Sequence, residues 1–94
     1  MNDPLFPTRR MIDEIADETH GARLKFPDPR GLMMALTEEV GEVAKALADE
    51  SPERIREECI QVAAMAIRLA EEGDPTQDWV RHQRGQEVFR GIRE

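Results

Sequence analysis

Residues 51–73 read SPERIREECIQVAAMAIRLAEEG. Ser51-Pro52-Glu53 is a helix start, with a side-chain acceptor for the cap and proline at the first helical position. Gly73 is a helix stop. From Cys59 to Ala70 only Gln61 and Arg68 are polar. At about 100° per residue, Arg54, Glu58, Gln61, Arg68 and Glu72 fall in one narrow stripe. Ile55, Cys59, Ile60, Val62, Ala63, Ala66, Ile67, Leu69 and Ala70 spread over most of the rest. A helix this apolar packs on more than one side. In a chain of 94 residues its second apolar side is expected to meet another subunit.

Upstream, Met33, Leu36, Val40, Val43 and Leu47 alternate spacings of three and four, a helical seam over about 29–49. Asp28-Pro29 reads as its N-cap with proline in the first turn. Only about two residues join this helix to the next, so the two are expected to form a tight antiparallel hairpin. A first helix is expected over about 8–20, from Thr8 as N-cap to a stop at Gly21, with an apolar stripe of Met11, Ile12, Ile15 and Ala16. A weaker fourth segment spans 76–92, interrupted by Gly85 and Gly91, with Trp79 as its docking anchor. The expected fold is all-α: a single domain over 1–94, an antiparallel helical bundle completed by oligomerisation.

Composition agrees with packed helices. The chain has one Trp, three Phe and no Tyr, so Ala, Leu, Ile, Val and Met must fill the core. A formal charge of −7 argues against nucleic acid or an anionic membrane as partner, and an acidic protein that handles phosphates needs cations to do it. The opening residues carry no secretory pattern and no stretch has the length of a membrane span, so a cytoplasmic location is expected. The lone Cys59 sits in an apolar run and is expected to be a small buried hydrophobe.

The carboxylates are the chemical signal. Glu39 and Glu42 share a face of the second helix, one turn apart, and Glu58 and Gln61 do the same on the third. In a hairpin folding near residue 50, Glu42 comes level with Glu58 and Glu39 with Gln61. Four oxygen-bearing side chains then form one cluster, and like charges so placed need a cation or open water. Spacing alone fits either a solvated face or a site; the apolarity of the third helix around Gln61 favours the site. Hard oxygen ligands suit Mg²⁺ or Mn²⁺, whereas zinc lacks Cys or His partners here.

These motifs resemble the MazG-like all-α nucleotide pyrophosphohydrolases, which carry an E-x-x-E pair on one helix and an E-x-x-D pair on the next. The first is Glu39-Val40-Gly41-Glu42, within Leu36-Thr37-Glu38-Glu39-Val40-Gly41-Glu42-Val43. The second falls at Glu58-Cys59-Ile60-Gln61, after fifteen intervening residues. Lys25-Phe26-Pro27-Asp28-Pro29 resembles the loop that precedes the metal helix, and the resemblance covers about 25–72. It implies hydrolysis of an NTP or dNTP to NMP and pyrophosphate, with Mg²⁺ or Mn²⁺ as cofactor and a homodimer or homotetramer as the assembly. It implies Glu39, Glu42 and Glu58 as metal ligands and Gln61 as a weaker or indirect one. Glu38 and Glu39 are the candidate catalytic carboxylates, Glu38 as second-metal ligand, general base or simply a solvated neighbour. The chain departs from the pattern at Gln61, where the family has Asp: one negative charge is lost, which weakens metal binding. That departure leaves a second function class open, a non-catalytic helical oligomer serving as a nucleotide-binding or interaction module.

Three cations are candidate substrate-binding residues: Lys25, Lys45 and Arg68. Arg68 suits a phosphate or an ion pair with a Glu equally well. Lys25 and Phe26 suit phosphate binding and base stacking, or a plain surface loop. His20 and His82 are isolated and are expected at helix ends or on the surface.

Overall fold

The structure is a computed structural model and describes residues 2–92. Every regular element among them is helical: α1 (Phe6–Lys25), α2 (Leu32–Asp49), α3 (Pro52–Glu72), a 3₁₀ turn (Pro75–Gln77) and α4 (Asp78–Gln83).

The third helix has the expected bounds. The Ser51 side chain accepts from the Arg54 amide at 3.2 Å, Pro52 opens the first turn, and the Gly73 amide closes onto the Leu69 carbonyl at 2.9 Å. The other helices differ from expectation in ways the contacts explain. α1 begins at Phe6, not Thr8, because Asp3 starts the turn: its side chain accepts from Leu5 N and its carbonyl from Phe6 N. It runs through Gly21 to Lys25, since its last turns are held from outside by Arg23, which reaches Glu71 and Glu72 at the end of α3. α2 starts at Leu32, and Asp28 does not cap it; that carboxylate is engaged by Arg30. Its first amides are met by Asp74, which accepts from Gly31 N at 3.0 Å and Met33 N at 2.8 Å.

The fourth segment is mostly not helix. α4 ends at Gln83, and 84–92 return as coil against the end of α3, with Ile92 N donating to Ala70 O at 3.1 Å. Gly91 has positive φ, and a Cβ there would strike the Glu71 carbonyl, so the return needs glycine at this point. Trp79 is 58% exposed and is not the anchor expected of it.

α3 packs against both α1 and α2. Contacts along its seam with α1 advance in step: Glu14 with Arg56, Glu18 with Gln61, Arg23 with Glu71 and Glu72. The two helices therefore run in the same direction. Against α2, Asp74 at the far end of α3 meets the start of α2, while Glu50 and Arg54 pair near the connection.

The face α3 turns inward is its polar stripe. Glu58 and Arg68 are buried there with Ala64. Cys59, Ala66, Ile67 and Ala70 are exposed, so the expectation of a buried Cys59 fails. On α2 the apolar seam is also left open, with Val40 at 52% and Leu47 at 65% exposure. The apolar side chains buried among the described residues are Leu32, Ala46 and Ala64 alone.

Candidate functional site

A cavity of about 340 Å³ opens between the first three helices. α1 contributes Glu18 and Lys25 to its wall, α2 contributes Glu39, α3 contributes Gln61 and Met65, and Phe26 follows α1 at the rim. Four residues singled out by sequence thus meet around one space. Its size falls within the range of small-molecule sites, about 300–1,000 Å³.

Glu39 is half-buried at this cavity. Burial first, then the adjacent Glu58 carboxyl and the charges of Glu42 and Glu38, push its carboxyl above the usual range. Two carboxylates so placed repel, and a cation between them would relieve the repulsion. Glu58 is buried, and the Arg54 guanidinium, which also holds Glu50 and Glu57, donates to its Oε1. Glu38 and Glu42 are exposed on α2 and reach the pair through their charge. Among the described residues no three His, Cys, Asp or Glu side chains gather as a ligand set for a metal ion. The pairing expected of the hairpin, Glu42 with Glu58 and Glu39 with Gln61, is not the one the structure has: Glu58 stands beside Glu39, Gln61 meets Glu18, and Glu42 is exposed.

Gln61 is engaged from the other side. Its Nε2 donates to Glu18 Oε1 at 2.6 Å. Sequence reading passed over Glu18, although Glu18, Ala22 and Lys25 share a face of α1 at spacings of four and three. Lys25 Nζ lies over the Phe26 ring, 5.4 Å from its centroid, so the cation covers one face of the ring at the rim.

The other two candidate cations stand apart from this space. Arg68 is 1% exposed, and its guanidinium makes two bonds to Glu72, at 2.8 and 2.9 Å. Of its two sequence readings, the structure has the ion pair. Lys45 is exposed on α2 and does not line the cavity. His20 and His82 are exposed.

No helix among the described residues is long and apolar enough to cross a membrane. No protein family, curated protein or solved structure matches the chain.

Proposed function

We propose that this chain is a Mg²⁺-dependent nucleoside triphosphate pyrophosphohydrolase of the MazG-like kind. The observation that carries the reading is the meeting of Lys25, Phe26, Glu39 and Gln61 around one cavity, with the Glu39–Glu58 carboxyl pair at its side. The chemistry of the donor set suits a hard cation: Glu39 and Glu58 offer oxygen, and a divalent ion would offset their repulsion and the charge of Glu42 in place of the Arg54 guanidinium that now holds Glu58. Glu39, Glu42 and Glu58, carried on α2 and α3, are the proposed ligands, with Gln61 contributing its amide oxygen.

Bound Mg²⁺ supplies polarisation of phosphoryl oxygens and a lowered pKa for water. The chain's own residues bind and orient. Phe26 offers the base the ring face that Lys25 leaves open, and Lys25 offers a positive charge for the phosphates. Glu38, exposed beside the carboxyl pair, is the candidate proton acceptor from water. Water adds across the α–β phosphoanhydride, giving NMP and pyrophosphate. Lys45 and Arg68 drop out of the substrate set, since one lies off the cavity and the other is sequestered by Glu72.

Gln61 in place of Asp favours a second reading, a module that binds nucleotide without turning it over. A panel of NTPs and dNTPs with Mg²⁺ or Mn²⁺, scored for binding and for pyrophosphate release, separates the two. Release that Glu42→Gln abolishes is the expected result. Binding without release supports the module, and neither binding nor release rejects both.

The proposed assembly is a homodimer or homotetramer, acting on a soluble nucleotide and not on nucleic acid or membrane, in the cytoplasm. The open apolar seam of α2 and the outer face of α3 support the assembly.

A further inference from the structure

An amide in place of a carboxylate sets a problem of orientation. A carboxylate presents oxygen whichever way it turns, but an amide has one oxygen and one NH₂. Turned the wrong way, Gln61 would point N–H donors at a cation. Its partner decides which way it lies. An ionised carboxylate only accepts, and Glu18 Oε1 sits 2.6 Å from Gln61 Nε2. The NH₂ is thereby held toward α1, and Oε1 is left outside this contact.

The neighbours on the same seam make Glu18 distinctive. Glu14 is paired with Arg56, while Glu71 and Glu72 are paired with Arg23. Among the described residues Glu18 has no such cation; it meets an amide, and both side chains line the cavity with Glu39.

We infer that Glu18 is a positioning residue that holds the Gln61 amide so that it serves the site as an oxygen ligand. This rests on the metal-dependent reading above. It assigns α1 a part in a site whose motifs lie wholly on α2 and α3. It also explains how glutamine can stand where the resemblance has aspartate without turning donors toward the cation.

The test is Mn²⁺ affinity by isothermal titration on the full chain, with melting curves in chelator to establish that each variant folds. Glu18→Gln keeps the size but replaces a pure acceptor by a group that both donates and accepts. It should weaken Mn²⁺ binding about tenfold, the scale set by removing a partner that orients a ligand. Glu18→Asp keeps the charge but withdraws the acceptor by one methylene, and it should weaken binding as well. In a Gln61→Asp background nothing needs orienting, so Glu18→Gln should cost distinctly less there. Equal losses in both backgrounds would mean that Glu18 acts through charge or through the fold, and would overturn the inference. So would wild-type affinity in Glu18→Asp, a criterion that holds even if Gln61→Asp fails to fold. In either case Mn²⁺ binding by the unaltered chain, abolished by Glu42→Gln, would leave the metal site standing. No Mn²⁺ binding by the unaltered chain would overturn the site and the inference together.

Discussion

Glu39 is pulled away from its charged form by burial first, then by Glu58, and then by the charges of Glu42 and Glu38. An acid whose folded-state pKa lies above its unfolded one stabilises the fold below the ordinary Glu range. That contribution is lost as pH rises through the raised value. In chelator, Glu39→Gln should therefore melt a few degrees above the unaltered chain near neutral pH, and the gap should close toward about pH 4. With millimolar Mg²⁺ the order should reverse, because the ion stabilises only the chain that binds it. Melting curves across pH with and without metal read both effects; a pH-independent gap would place Glu39 away from the carboxyl pair. Arg68 gives a second test at this scale. Its guanidinium is withdrawn from water and spent on Glu72, so Arg68→Met should cost about 3 kcal/mol in urea unfolding. Glu72 keeps Arg23 as a partner, which holds the loss at the lower end for a broken buried pair. Helical spacing puts Glu39 with Glu42, and Glu58 with Gln61, on shared faces, and of these four Glu39 and Gln61 line the cavity. Glu18 was not legible in the sequence, because nothing in a linear reading of α1 says which polar residue of α3 will stand opposite it.

At the scale of elements, the start of α2 rests on a distant residue. Asp74 is 4% exposed and collects the amides of Gly31, Met33 and Thr76 together with the Thr76 hydroxyl. Burial opposes its charge, but the amides and the Thr76 hydroxyl outweigh it and hold the carboxyl below the usual range. The stabilisation is therefore present above the ordinary Asp range and is lost as pH falls through the lowered value. Asp74→Ala should cost about 2–4 kcal/mol by urea unfolding, and its stability should fall less steeply in acid than that of the unaltered chain. An effect below about 0.5 kcal/mol would mean that the α2 amides find water as readily as Asp74. This clamp explains why Asp28 was a plausible but mistaken cap: local sequence offers it, and Arg30 claims it. Caps made within four residues, such as Ser51, were legible, and caps made across the fold were not. The expected fourth helix fails for a related reason. Its apolar residues Val88, Phe89 and Ile92 suit a helix by type, but Gly85 and Gly91 take positive φ and turn the chain back onto α3.

The whole molecule has too little interior for its length. A compact chain of this size has a radius of gyration of about 12 Å; here it is 15.6 Å, with a longest extent of 50 Å. α3 spends its inward face on Glu58, Gln61 and Arg68, so its outer apolar side and the seam of α2 lack cover among the described residues. Val40, Val43, Cys59 and Val62 line one apolar groove of about 190 Å³ on that open side. A second copy of the chain is the cover we predict, because the groove is apolar, is open at Val40 and Cys59, and includes two residues of the same repeating seam. Light scattering after size exclusion should find a homo-oligomer at micromolar concentration. Val40→Glu places a charge in the groove, and burying it without a partner costs several kcal/mol, so the variant should elute as monomer and melt well below the unaltered chain. Its melting temperature should be nearly independent of protein concentration, whereas that of the unaltered chain should rise with it. A stable, concentration-independent monomer for the unaltered sequence would mean that this apolar face stands open in water, and the assembly would have to be abandoned while the cavity between the helices kept its own tests.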